Sequence, residues 1–220
     1  SRQEMIHDMS DCGCEADEER AGVDPAYRRA LWIVVILNLG FGVIELAGGF
    51  LARSQALKAD SLDFIGDGSI TLIGLIALGW TAVARSRTAL VQGCFLAVLG
   101  LGVIGSAIWR SFHAIAPEAD LMGGIGVVAL LVNISAALVL SRFRNEGDAT
   151  ARAIWLFSRN DALANVAVIV AAGLVAVTGK AWPDLLVAGV IALLFLHSAY
   201  DIIRDALGEI SSHKAGVAEE

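Results

Sequence analysis

Six long apolar blocks, separated by short polar connections, run along the chain from about residue 31 to residue 203. Each block is long enough to cross a hydrocarbon core roughly 30 Å thick as a helix that rises about 1.5 Å per residue. The connections carry charged or turn-forming residues, for example at 85–87 and 116–118. The pattern predicts an all-α membrane protein, a bundle of six transmembrane helices. The predicted spans are 31–52, 59–84, 89–109, 121–140, 153–178 and 182–203.

The polar residues outside these blocks predict an acidic cytoplasmic N-terminal tail at 1–28, a six-helix transmembrane domain at 29–207 and a short cytoplasmic C-terminal tail at 208–220. The first tail has no apolar stretch after a basic start, so we expect no signal peptide. If both termini are cytoplasmic, eleven Lys and Arg residues lie on the inner side, four lie on the outer side and Arg159 lies within a span. Lys and Arg concentrate on the cytoplasmic side of membrane proteins, which favours this orientation.

Composition supports the membrane assignment and gives no indication of a nucleic-acid partner. The chain is 56% hydrophobic and only 18% charged, with a mean hydropathy of +0.68. Its formal net charge of −7 comes largely from the two tails, so it gives no indication of a nucleic-acid partner. Cys12, Cys14 and Cys94 form no disulfide framework, and Cys94, within an apolar block, is expected to pack between helices.

Three aspartates lie inside the second apolar block. Asp60, Asp63 and Asp67 are spaced i, i+3 and i+7, which places them on one face of a helix. A charged group at the centre of a membrane helix costs at least about 2.5 kcal/mol, so an array of like charges requires a compensating cation or protons. We interpret Asp60, close to the start of the span, as a helix cap. Asp63 and Asp67 are candidate metal ligands.

The fifth block carries a second polar pair, Asp161 and Asn165, four residues apart on one face. Counting from the ends of their spans, Asp67 lies roughly 13 Å below the outer edge of the bilayer and Asp161 roughly 13 Å above the inner edge. In a core about 30 Å thick, the two residues differ in depth by only about 3 Å. Two antiparallel helices are therefore expected to bring their carboxylates together near the midplane, where carriers place their sites.

These motifs resemble those of the cation diffusion facilitator family of metal/proton antiporters. Residues 59–67 are similar to the family's first pair of ligands, and residues 161–166 are similar to its fifth helix. Asn38, Glu45 and the glycines at 48–49 are similar to its first helix. The similarity covers about residues 30–207.

The resemblance implies a multi-pass protein of the plasma (inner) membrane that exports Zn²⁺ or Cd²⁺ from the cytoplasm in exchange for protons. It implies metal ligands at Asp63, Asp67 and Asp161, alternating access around that site, and a homodimer. It also implies that the chain is not an enzyme and holds no resident cofactor, because the metal ion is the cargo.

The chain departs from the family pattern at two points. Phe157 stands where the family has a histidine ligand, four residues before Asp161. Ser158, Asn160, Asn165 or a water molecule is left to complete the site. Asn165 has the better geometry, one turn from Asp161, since Asn160 points about 100° away around the helix. The family's C-terminal cytoplasmic domain is also missing, so the chain resembles short members of the family.

Several alternatives remain open at this stage. An oxygen-only site suits Mn²⁺, Fe²⁺ or Co²⁺ better than a site with a histidine does. A metal-responsive membrane scaffold, an ion channel and an intramembrane aspartyl protease are the rival classes. A protease needs one aspartate on each of two helices, whereas this pattern has a pair plus a third.

The remaining polar residues have weaker interpretations. His7, Cys12 and Cys14 are either metal-capture residues or part of an acidic disordered tail. Glu45 and Asn38 either assist the site or hydrogen bond between helices. Asp184, after Pro183, is expected to cap its own helix. His197 and Asp201, near the inner end of the sixth span, either pair with Arg204 or line an exit, and we favour the structural pairing.

Overall fold

The computed structural model describes the backbone of residues 25–77, 80–113, 115–141 and 149–218. The side chains of residues 82, 149–160 and 213–218 lie outside that description. The acidic tail, including His7, Cys12 and Cys14, also lies outside the described residues.

Six helices and no strands make up the described chain. Five of them are long and apolar enough to cross a membrane, and α2 is not, because Asp60, Asp63 and Asp67 interrupt its apolar surface. The all-helical membrane class is therefore confirmed, with one helix that carries most of the intramembrane charge. The helices are α1 Pro25–Leu51, α2 Gln55–Ile76, α3 Ala82–Ser111, α4 Ala119–Ser141, α5 Ala149–Thr178 and α6 Trp182–Ala218.

The break between α2 and α3 differs from the prediction. The second predicted span extends to residue 84, but α2 ends at Ile76 and α3 begins at Ala82. Thr81 sets this start, because its hydroxyl accepts a hydrogen bond of 3.3 Å from the Ala84 N–H. The charged segment at 85–87, predicted as a connection, therefore lies in the first turns of α3.

The last helix is also longer than its predicted span, which ends at residue 203, since α6 continues to Ala218. Its extension packs beside the start of α3, where the buried Ser86 hydroxyl donates a short hydrogen bond to the Glu209 carboxylate. This contact between the two helices explains why the predicted polar tail begins as helix.

The aspartate-bearing helix α2 lies at the centre of the bundle and contacts each of the other five helices. Its closest neighbour is α1. A side-chain carbon on Gly42 would lie 2.9 Å from Ile65, and one on Gly68 would lie 2.7 Å from Leu39, so only glycine permits this approach. The most polar helix is thus held in the interior of the described bundle, with apolar helices around it.

The turn between α1 and α2 is fixed by an aspartate from the other end of the chain. Arg53 ends α1 in a left-handed conformation, with φ of 55°, and Ser54 caps α2 by accepting from the Leu57 N–H at 3.1 Å. Asp184 accepts hydrogen bonds from Ser54 Oγ at 2.6 Å, from the Gln55 N–H at 2.8 Å and from the Ala56 N–H at 3.0 Å. The expectation that Asp184 caps its own helix is therefore wrong, since its carboxylate caps α2.

Candidate metal site

Three carboxylates from two helices meet inside the bundle. Asp63 and Asp67 are one turn apart on α2, and Asp161 lies on α5. One carboxylate oxygen from each residue lies within 4.8 Å of those of the other two, and all three residues are partly buried. The expectation that α2 and α5 bring their carboxylates to one level is confirmed. We call these three residues the three-aspartate cluster.

Like charges at this separation repel strongly in a medium of low dielectric constant. The ion pairs that join two described side chains lie on α6, and none of them includes these aspartates. Carboxylate oxygens that converge from two helices, with no cation paired to them among the described side chains, match the ligand set that divalent cations prefer.

Asn165 lies one turn after Asp161 and is fully buried, at 0% exposure. Its amide nitrogen donates a hydrogen bond of 2.8 Å to the Asp161 backbone carbonyl. Its amide oxygen has no hydrogen-bond donor among the described residues. The side chain is thus held by its nitrogen, which leaves a buried oxygen free to accept. The competing candidates Ser158 and Asn160 have side chains outside the described set.

A second carboxylate pair, less evident from the sequence, lies beside the cluster. Asp60 was expected to cap α2, but Ser54 does so, and Asp60 is buried within the helix at 1% exposure. Its carboxyl group faces that of Glu45, from α1, which is 0% exposed. The spacing of Gly42, Glu45 and Gly49 along one face of α1 is the sequence signal that could have placed Glu45 against α2.

Two lesser expectations have clear outcomes. His197 and Arg204 each lie 3.6 Å from the Asp201 carboxylate on the exposed surface of α6, so the predicted structural grouping is confirmed. Cys94, expected to pack between helices, is exposed instead. It lies on the outward surface of α3, where the prediction from apolar context alone could not place it.

The fold and the cluster together define a class: a multi-pass membrane protein with an intramembrane site of converging carboxylates. A family profile described as the cation efflux transmembrane domain matches residues 31–211. The chain belongs to this cation efflux family, and it is a multi-pass protein of the plasma membrane.

Characterised relatives are similar over most of the chain. It is 28% identical over 195 residues to a cadmium, cobalt and zinc/H(+)-K(+) antiporter of Bacillus subtilis (strain 168), covering 83% of this chain and 63% of that protein. It is 29% identical over 196 residues to the zinc transporter ZitB of Escherichia coli (strain K12), covering 83% and 62%. It is 25% identical over 194 residues to the metal cation efflux system protein CzcD of Cupriavidus metallidurans, covering 81% and 60%. The chain thus spans less than two thirds of the length of these relatives.

Proposed function

We propose that the chain carries divalent metal ions across the membrane, exporting Zn²⁺ or Cd²⁺ from the cytoplasm in exchange for protons. The observation that carries this proposal is the three-aspartate cluster, whose oxygens lie within 4.8 Å of one another on two helices. The names of the relatives, a cadmium, cobalt and zinc antiporter and a zinc transporter, agree with it.

The charge of the cluster supplies a mechanism for exchange. Three ionised carboxylates cannot remain together in a low dielectric, so the site is stable when it holds either a divalent cation or protons. Entry of the metal expels protons, and entry of protons expels the metal. Alternating access then requires that the bundle expose this one site to each side of the membrane in turn. The proposal needs neither enzymatic activity nor a resident cofactor, because the ion is cargo.

Asn165 is proposed as the fourth ligand, through its amide oxygen. Support comes from its burial and from the hydrogen bond that fixes its nitrogen to the Asp161 carbonyl. Replacing Asn165 by Leu removes the oxygen at similar size. It should weaken Zn²⁺ binding by at least about 10-fold, because even the loss of a group that only orients a ligand costs about 10- to 100-fold. Asn165→Asp should bind nearly as the wild type. Unchanged binding in Asn165→Leu would assign the fourth position to Ser158, Asn160 or water instead.

A second candidate cargo follows from the oxygen-only ligand set. With Phe157 in place of a histidine, the site offers carboxylate and amide oxygens, which suit Mn²⁺, Fe²⁺ and Co²⁺. We therefore propose a carrier of these ions as the alternative.

For the whole molecule we propose six spans, a homodimer and cytoplasmic termini. Helix α2 completes the six, because its central position shields its aspartates from lipid. The bias of Lys and Arg towards one side supports the orientation. Fluorescent-protein and phosphatase fusions at residue 114 and at the C-terminus test the topology, and activity on the same side for both would refute it.

The test of transport uses purified protein in liposomes that contain a fluorescent metal indicator. Zn²⁺, Cd²⁺, Mn²⁺, Fe²⁺ and Co²⁺ are added in turn, with and without a pH gradient. Asp67→Asn is the test variant because it keeps the shape of a cluster residue and removes its charge. Asp120→Asn is its matched control, since Asp120 is exposed in the first turn of α4.

We expect saturable flux that depends on the gradient in the wild type and in Asp120→Asn, and its loss in Asp67→Asn. The most rapidly transported ion names the cargo and separates the two candidate sets. Flux that does not saturate would indicate a channel. Absence of flux for every ion would refute the carrier and favour a metal-responsive scaffold.

A further inference from the structure

The pair formed by Glu45 and Asp60 has no function in the site described so far. Both residues are buried, and neither oxygen of Glu45, nor Oδ2 of Asp60, has a hydrogen-bond donor among the described residues. An ionised carboxylate that is buried without a donor loses its hydration and forms no hydrogen bond to compensate, which costs several kcal/mol. Two such groups facing each other add mutual repulsion, so this arrangement requires that a cation or protons neutralise the pair.

The packing of α1 on α2 shows where the pair lies. Gly42 lies against Phe64 and Ile65, and Gly49 lies against Leu57 and Lys58. Glu45, between these glycines on the same face, is therefore level with the segment of α2 that includes Asp60. This segment is one turn from Asp63, on the side of the turn that connects α1 to α2. The pair thus lies between the three-aspartate cluster and one end of the bundle.

Charge decides which cation fits this place. The two carboxylates together carry two negative charges when ionised. A single shared proton would leave one of those charges buried, whereas one divalent ion cancels both. The cation nearest in sequence, Lys58, is directed away, with its Nζ 4.2 Å from the centre of the Phe50 ring. A divalent ion is therefore the occupant that best satisfies the pair.

We propose that Glu45 and Asp60 form a second cation-binding site, which takes a divalent metal ion passing between the three-aspartate cluster and the α1–α2 turn. The identity of the ion rests on the proposed function. With two carboxylates instead of three, the site binds the ion more weakly than the cluster does. It therefore serves as a point of transfer, from which the ion leaves readily.

The test counts bound metal on the purified full chain in detergent by equilibrium dialysis against Cd²⁺. Glu45→Gln and Asp60→Asn each keep the shape of the side chain and remove its charge, and two independent variants guard against misfolding of one. Glu118→Gln is the matched control, because Glu118 is exposed next to the same turn, where its N–H donates to the Ala52 carbonyl at 2.9 Å. Asp67→Asn reports on the cluster separately.

We expect a tight and a weak phase of binding in the wild type and in Glu118→Gln. Both Glu45→Gln and Asp60→Asn should lose the weak phase, which halves the metal bound at saturation. Asp67→Asn should lose the tight phase. Full wild-type binding in Glu45→Gln and Asp60→Asn would overturn the second site, and if these variants also release fewer protons when metal is added, the pair is a proton site instead. Wild-type binding in Asp67→Asn alone would refute the cluster and leave the second site standing.

Discussion

The cap that Asp184 places on α2 gives a stability prediction whose size can be worked out from individual hydrogen bonds. Asp184→Ala removes the acceptor of the Gln55 and Ala56 N–H groups, and both residues are almost completely buried. Each buried donor left without a partner costs about 1–3 kcal/mol, so the variant should lose about 2–6 kcal/mol of unfolding free energy. Ser54 also loses its partner, but its oxygen still accepts from the Leu57 N–H.

The stability of Asp184→Asn should lie between that of the wild type and that of Asp184→Ala. The asparagine oxygen can keep the bonds from Ser54 and Ala56, while its NH₂ group faces the Gln55 N–H, which leaves one donor unsatisfied at a cost of about 1–3 kcal/mol. Unfolding in mixed micelles by titration with sodium dodecyl sulfate, followed by tryptophan fluorescence, measures both losses.

The control for this series is Asp120→Ala, at the exposed first turn of α4. It removes only a favourable charge at a helix N-terminus and should cost about 0.3–1 kcal/mol. If Asp184→Ala is no less stable than Asp120→Ala, or is more stable than Asp184→Asn, the hydrogen bonds of Asp184 do not hold the turn and the reasoning fails.

Three further predictions use the same titration. Gly42→Ala should lower the free energy of unfolding by about 1–3 kcal/mol, because its new carbon would lie 2.9 Å from Ile65. Gly40→Ala, with no atom within 4 Å of its new carbon, should be neutral or slightly stabilising. Equal effects of the two substitutions would contradict the close packing of α1 on α2. Arg53→Gly should stabilise the protein by about 1 kcal/mol, because glycine adopts the left-handed conformation at φ 55° without strain. Arg53→Ala should give no such gain. A loss of stability in Arg53→Gly would show that the side chain of Arg53 contributes more to stability than the backbone conformation does. Ser54→Ala should lower the free energy of unfolding by about 1 kcal/mol through loss of the helix cap. The loss should be smaller when Asp184 has already been replaced by Ala. Strict additivity of the two substitutions would show that the two residues act independently.

The convergence of Asp63, Asp67 and Asp161 could be predicted from the sequence because two independent measures fix it. Helical periodicity fixes the face of each residue, and the thickness of the bilayer fixes its depth. Neither measure depends on knowing how the helices pack. Their joint prediction of one level for α2 and α5 is confirmed by the distances in the cluster.

Features that depend on the rotation and contacts of neighbouring helices could not be predicted in this way. The bonds from Asp184 reach residues about 130 positions earlier in the chain, and no local motif indicates that distance. Glu45 and Asp60 belong to different helices, and their meeting depends on how α1 is turned towards α2. The start of α3 differs from the prediction for a local reason: the charged residues at 85–87 indicate a connection, but the Thr81 hydroxyl caps the helix before them.

The polarity of α2 has a consequence for how the protein enters the membrane during synthesis. The three aspartates on this helix each oppose transfer into lipid by about 2.5–3.5 kcal/mol at the bilayer centre, a combined penalty on the order of 10 kcal/mol. The helix therefore cannot remain alone in the hydrocarbon as a separate segment. Helix α1, which is strongly apolar and precedes it by a three-residue turn, can enter with it as a hairpin. Helix α2 must then stay shielded from lipid until α5 and α6, which are made later, pack against it, so these later helices complete insertion as well as the site.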